Sequence, residues 1–555
     1  MTQAATDAKP AAQEEKPISQ ELIAAAEKLI GLEFTPAERE LMLDDVNENL
    51  AHYQEIRKVQ LDNSVPPAFQ FNPILPGRSF VAPPEKKPLV LSSFTPPALP
   101  ANREEIAFCP VTHLAHLIKT RQISSLELTE LYLERLKRYG PALECVVTLT
   151  EELALAQARR ADEEIATGHY RGPLHGIPWG AKDLLATKGI RTTWGATPYK
   201  DQVIDTDATV VQRLEAAGAV LAAKLTMGAL AWGDVWFGGK TRSPWNLAEG
   251  SSGSSAGSGA ATAAGLVGFA IGTETWGSIV SPCRNCGVTG LRPTFGRVSR
   301  HGAMALSWTM DKIGPMCRSV EDCALVFEAI YGPDGQDLTV VDLPFNWSPE
   351  IDLAGLRIGY IKSAFEQEED HETKAQDGQV LEVLSSLGAR LVPIELPDTY
   401  PVEALSFLLQ VEAAAAFDEL TRSNRDDLLV RQVKDAWPNV FRQARLIPAV
   451  EYIQANRIRM LIMQQMAELM AGIDVYVAPS SIGHNSLLTN LTGHPAVAVP
   501  TGFGKNGLPT NITFTGRLYD EATLLAVAKA YQDTTDFHLK RPPLDTESKP
   551  EAEPS

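Results

Sequence analysis

Two short stretches carry residues that could do covalent chemistry. Residues 250–259 read GSSGSSAGSG, nine of ten being Gly or Ser. A Gly/Ser run is usually a flexible tether. This one leads instead into apolar, Ala- and Gly-rich sequence, AATAAGLVGFAIGTETWGSIVSP, which reads as a small-residue helix running into a second Gly/Ser turn. Loops of this kind can gather backbone N–H groups around an anion or oxyanion, because glycine lets the chain approach closely. The second stretch is GIPWGAKDLL (176–185), where Lys182 sits at what reads as a strand end. A lone lysine is ordinarily solvated. A buried one loses its proton more easily, because desolvation penalises the ammonium, and then serves as a general base.

Other spacings point elsewhere. Gly253-Ser254-Ser255-Ala256-Gly257 also fits the G-x-S-x-G nucleophile elbow, with Ser255 as nucleophile and His484, His494 or His538 downstream. That elbow must follow a strand, and GKTRSPWNLAEG before it reads as loop. Cys283 and Cys286 form C-x-x-C without a companion pair, so structural cysteines are expected rather than a redox or zinc site. His113 and His116 lack a third ligand nearby.

Three ordered blocks carry a resemblance. They are GIPWGAKDLLATKGIRTTWGA (176–196); GGKTRSPWNLAEGSSGSSAGSGAATAAGLVGFAIGTETWGSIVSPCRNCGVTGLRPTFGRVSR (238–300), continuing through MDKIGPMCRSVEDCA (310–324); and NLTGHPAVAVPTGF with GLPTNITFTGRLYDEATLLAVAKAYQDTTDFH (490–538). Over about residues 105–540 the chain resembles the amidase signature family, which hydrolyses C–N bonds with a Ser–cis-Ser–Lys triad. The resemblance implies Ser278 as nucleophile, Ser254 (after a cis peptide bond) as proton bridge and Lys182 as base. It implies Ser255 and Glu274 in support, and the backbone of Thr275, Trp276, Gly277 and Ser278 as oxyanion hole, with no cofactor and no metal. Three positions depart from the family pattern. Glu274 stands where Asp is usual, Trp276-Gly277-Ser278-Ile279 replaces Gly-Gly-Ser-Ile, and Val280 stands where Arg is often found. None touches the triad; they bear on pocket shape.

Elements must hold those residues in place. Short apolar runs, AVLAAK (219–224), LRIGYI (356–361), ARLVPI (389–394) and DVYVAP (474–479), alternate with helical stretches 124–140, 207–218 and 521–534. Such alternation predicts an α/β fold with a mixed, mostly parallel central sheet covered by helices on both faces, here the amidase signature fold with an N-terminal helical arm. Residues 1–18 read as a disordered tail. Residues 19–61 read as the arm, with a capping box at Thr35-Pro36-Ala37-Glu38. Residues 62–104 read as a Pro-rich extended linker, 105–540 as the catalytic domain and 541–555 as a second disordered tail.

The 555-residue chain is 44% hydrophobic and 21% charged, which excludes a disordered or collagen-like protein. Its net charge of −19 makes it a poor nucleic-acid binder on its own. No apolar run is long enough to span a membrane. Six cysteines in this length make no disulfide framework, and no secretory signal is legible, so a cytoplasmic protein is expected. The expected function is an amidohydrolase acting through a serine acyl-enzyme on a hydrophobic or aryl amide, with esters and carbamates within reach of the same chemistry. The alternative is the glutaminase-type subunit of a tRNA-dependent amidotransferase complex. The partner is a small-molecule amide, with a homodimer left open. Stretch 403–470, with Phe407, Phe417, Trp437, Phe441 and Tyr452, resembles the helical excursion that shapes the family's acyl side. Trp276, Phe407 and Trp437 are the candidate pocket residues, although each singly could be ordinary core.

Overall fold

Runs of apolar residues become the strands of one sheet. The computed structural model describes residues 17–544 except 57, 60, 68, 77–84, 94–98, 101, 367–370 and 481–482. The sheet contains β1 (Val146–Leu149), β2 (Pro178–Lys182), β3 (Val220–Leu225), β4 (Phe269–Glu274), β5 (Thr289–Arg292), β6 (Lys312–Cys317), β7 (Arg357–Ile361), β8 (Arg390–Ile394), β9 (Val475–Pro479), β10 (Ala496–Phe503) and β11 (Pro509–Gly516). Their order is β1-β3-β2-β4-β6-β5-β10-β11-β9-β7-β8. The sheet is mixed. Parallel pairing forms two blocks, β3-β2-β4 and β9-β7-β8. The strands between them pair antiparallel, as does β1 at the edge.

Both faces of this sheet are buried. Leu221, Phe269, Ile271, Ile313 and Val497 belong to one core cluster, while their strand neighbours Val220, Ala222, Ala270 and Ala498 belong to another. Successive side chains on a strand point to opposite faces, so each cluster is the packing on one side. That is why β2, β3, β4 and β6 are buried at every position and read as continuous runs rather than alternations. Helix Ser125–Leu143 starts on a capping box of Ser124 and Glu127. Residues on its two faces, such as Leu131 and Leu136, reach both clusters.

The N-terminal segment contains helices Gln20–Ile30 and Pro36–Ile56. Thr35 and Glu38 make the reciprocal capping bonds, and Arg39 grips the buried Glu27 with two bonds of 2.8 and 2.7 Å. Ile18 is bonded through its N–H to Asn47 at 3.1 Å, so order begins before residue 19. The described residues of the Pro-rich segment are laid on the body: Asn63 bonds Ala305, Lys87 bonds Asn346 and Ser92 bonds Glu321. Residues 1–16 and 545–555, most of the two expected tails, lie outside the described residues. Arg541 packs over the Phe108 ring. No described helix is long and apolar enough to cross a membrane.

Candidate active site

Lys182 ends β2 with its side chain fully buried. Its Nζ lies 2.8 Å from Ser254 Oγ, 3.0 Å from Ser255 Oγ and 2.8 Å from Thr273 Oγ1, with the Thr273 carbonyl at 3.3 Å. The peptide bond between Gly253 and Ser254 is cis. Ser255 is fixed from two sides. Its hydroxyl donates to the Thr273 carbonyl (3.0 Å) and accepts from the Thr273 N–H (3.1 Å). This close seat needs Gly272, where a Cβ would lie 2.9 Å from Ser255 Oγ and 2.7 Å from Met316 Sδ.

Strand β4 delivers the second turn. It stops at Glu274, and Gly277 takes φ +82°, a left-handed conformation open to glycine at little cost. Ser278 follows, nearly buried at 7% exposure. The Ser255 N–H donates to the Ser278 carbonyl at 3.2 Å, so the two Gly/Ser turns lie side by side. Glu274 holds the second turn from behind. One carboxylate oxygen accepts the N–H groups of Ile279 (2.8 Å) and Val280 (3.0 Å), and the other accepts from Arg292 (2.8 Å) and Asn490 (3.0 Å). The Thr275 hydroxyl donates to Asp311, whose other oxygen accepts from the Leu306 and Ser307 amides.

Burial sets the charges. Desolvation pushes Lys182 down to about 7, against the opposing fields of Asp311 and Glu274. Lys224, on the neighbouring strand, is equally buried but has the Asp183 carboxylate 3.1 Å from its Nζ. The groups that touch the Lys182 amine are hydroxyls and a carbonyl, none of which supplies a full negative charge. Burial also pushes the Glu274 carboxyl up, but the charge and hydrogen bond of Arg292, with Lys312 and Asn490, outweigh it and hold Glu274 at about 2. The site is thus a buried amine that gives up its proton near neutrality, beside hydroxyls and a turn braced by a permanent carboxylate.

The amidase family model matches residues 127–485. The chain belongs to the amidase signature family. The glutamyl-tRNA(Gln) amidotransferase A-subunit of Methylococcus capsulatus is 36% identical over 477 residues, covering 78% of this chain and 98% of the relative. The Roseiflexus sp. protein of the same name is 36% identical, covering 77% and 96%. Among solved structures, a peptide amidase from Stenotrophomonas maltophilia superposes with a TM-score of 0.69 at 30% identity, covering 79% of this chain and 99% of that one. A bacterial aryl acylamidase superposes at 0.70 with 22% identity, a likeness of fold alone, covering 79% and 100%.

Other sequence expectations fare differently within this amidase fold. Beside the site a cavity of about 370 Å³ reaches Thr273, Thr275, Asp311 and Lys312. Trp276, Phe407 and Trp437, the expected pocket residues, are not among its lining. Trp276 and Phe407 are half-buried and pack against another core cluster. Trp437 is buried between Trp232 and the stacked Phe441 ring, because an aromatic helix face is spent on packing its own layer. The elbow reading of Ser255 fails, since its hydroxyl meets Lys182 and Thr273. The stretch before it is not wholly loop: it forms a small ribbon of Arg242–Ser243 and Asn246–Gly250 outside the main sheet. Cys283 and Cys286 are free, buried thiols pushed up by burial. His494 is buried and held down at about 3 by desolvation, then by Arg292. Sequence reasoning missed Thr273, Asp311, Arg292 and Asn490. All four lie inside or beside the quoted blocks, but only the fold shows which side chains turn inward.

Proposed function

We propose that this amidase-family hydrolase cleaves a carboxylic amide through an acyl-enzyme on Ser278, with Ser254 as proton bridge and Lys182 as base. The observation that carries this reading is the lysine: fully buried, near 7, and 2.8 Å from Ser254 Oγ. A serine hydroxyl is a weak nucleophile until a base takes its proton as it attacks. Neutral Lys182 accepts the Ser254 proton while Ser254 accepts that of Ser278. The Ser278 oxygen adds to the amide carbonyl, and the resulting oxyanion is met by the amides of Thr275, Trp276, Gly277 and Ser278. These precede the two amides that Glu274 holds. Each such donor is worth about 3–4 kcal/mol in the transition state. The proton returns through Ser254 to the leaving nitrogen, the C–N bond breaks, and water, deprotonated by the same relay, hydrolyses the ester.

The relatives bear on which amide. The two named as glutamyl-tRNA(Gln) amidotransferase A-subunits align over 98% and 96% of their own length. They favour the glutaminase-type reading, with glutamine as the amide and ammonia passed on within a complex. The peptide amidase at 30% identity supports the second reading, a free hydrolase of larger amides. Release of the leaving amine by the purified chain, without ATP or metal, separates them: ammonia from glutamine and primary aliphatic amides, the arylamine from N-aryl amides. Glutamine turnover that requires a second, tRNA-binding protein supports the first. Turnover of an aryl amide by the chain alone supports the second. No hydrolysis of any amide under either condition overturns the proposal.

A further inference from the structure

The cavity that reaches Thr273 and Thr275 has an outer wall from an unexpected part of the chain. Asn63, Ser64, Pro66, Pro67, Phe69 and Gln70, all from the Pro-rich segment, line it opposite the catalytic body. This segment is pinned at both ends. At one end the Asn63 carboxamide makes a two-point clamp on Ala305, accepting from its N–H (2.7 Å) and donating to its carbonyl (2.9 Å). At the other end Phe71 lies edge-on to Phe295 with the Arg459 guanidinium 3.7 Å above its ring, and Pro73 is buried against Gly493. Between the pins, Asn63 and Ser64 make a turn closed by the Val65 N–H on the Asp62 carbonyl (3.0 Å), and Pro66 and Pro67 then fix φ at low entropic cost. The clamp also leads inward. Ala305 is followed by Leu306 and Ser307, whose amides bind Asp311, which accepts from Thr275 at the start of the proposed oxyanion turn.

We propose that Asn63, Ser64, Pro66, Pro67, Phe69 and Gln70 form a substrate-specificity wall built in cis, which sets the size of the acyl group that reaches Ser278. The proposal rests on the hydrolase reading above. The family match begins at residue 127, and about a fifth of this chain has no counterpart in the Methylococcus capsulatus relative, which it otherwise covers almost whole. The Pro-rich segment precedes the residues that the family model matches. The wall accepts apolar acyl groups: its described prolines and Phe69 face Leu184, Met304 and Ile313 across the space. The charged groups of the lining are already committed: Arg300 and Asp337 to each other through bonds of 2.8 and 3.2 Å, Asp311 to Thr275 and two backbone amides, and Lys312 to the Met310 carbonyl.

The test uses full-length protein and alkyl fluorophosphonates of increasing chain length. Each forms a bond from the Ser278 oxygen to phosphorus and expels fluoride. The readout is the ratio of labelling rates, long chain over short. Phe69→Ala widens the wall and is expected to raise the ratio ~10-fold, the scale on which a pocket reads a few methylenes. Ser64→Trp fills the space and is expected to lower it. Asn63→Ala, which frees the clamp, should move with Phe69→Ala. Phe69 is 61% exposed and Ser64 is exposed, so neither change threatens the core. Ratios that stay at the wild-type value, or rates that fall in parallel for all chain lengths, overturn the wall while leaving the hydrolase reading intact. Labelling of wild-type protein at a residue other than Ser278, or none, overturns the hydrolase reading and the wall with it.

Discussion

Lys182 and Lys224 sit on adjacent strands of one sheet, both fully buried, and only one has a carboxylate within ion-pair distance. That difference is what suits Lys182 to the base proposed for it and leaves Lys224 as a strut. If neutral Lys182 is required, the rate should rise with pH through a limb near 7 and level off above about 8. Lys182→Arg should abolish the limb together with the activity, because a guanidinium keeps its proton throughout this range. The folded-state value near 7 lies below the ordinary ~10.4. Between the two the unfolded chain binds the proton more tightly, so stability rises with pH across that window. Lys182→Met should therefore raise the melting temperature at pH 7, and a lower melting temperature there would contradict the burial argument. The meeting of Lys182 with Ser254, and the neighbouring turn that carries Ser278, were legible in the sequence because each sits in a long ordered motif. Thr273 was not, since a threonine inside a strand announces nothing until the pleat turns its hydroxyl toward Nζ. The aromatic residues Phe407 and Trp437 misled for a related reason: a bulky ring marks apolar surroundings, and packing and pocket supply these equally.

At the scale of elements, the turn after β4 depends on a carboxylate that never faces substrate in this account. Glu274 ties two amides of the turn to Arg292 and Asn490. Glu274→Gln leaves Arg292 buried without its charge partner and is expected to cost about 3–5 kcal/mol, read as a shift in the denaturation midpoint. A loss below about 0.5 kcal/mol would show the ion pair to be dispensable. With a folded-state value near 2 against ~4.3 unfolded, Glu274 contributes stability that is full above about pH 4.3 and lost as pH falls toward 2. The same scale shows what the sequence could and could not say about the fold. The runs 219–224, 356–361, 389–394 and 474–479 all became strands, because β-branched and apolar residues bounded by turns have few other uses. The antiparallel middle was hidden. TGLR and KIGPMC carry Gly and Pro that blur the strand pattern; they pair antiparallel with each other, and TGLR also pairs with Ala496–Ala498 about 200 residues on, a register nothing local encodes.

At the scale of the molecule, the net charge of −19 bears on partnership. An acidic surface repels phosphate, so the chain alone should leave a tRNA unshifted in a mobility assay at physiological salt. A shift would show that the glutaminase-type reading needs no separate RNA-binding partner. The Pro-rich composition announced an extended segment but not its docking, because nothing local encodes a contact between Asn63 and a loop 242 residues away. Amide hydrolysis through Ser278 leaves a covalent intermediate that intact-mass spectrometry of the protein during turnover detects. Quenched on the millisecond scale with a hydrolysable amide, wild-type protein should carry one acyl group, mapped by peptide digestion to Ser278. Ser278→Ala should carry none while keeping its melting temperature. Turnover without any adduct, or an adduct on Ser255 in a fully active protein, would rule out Ser278 as the nucleophile.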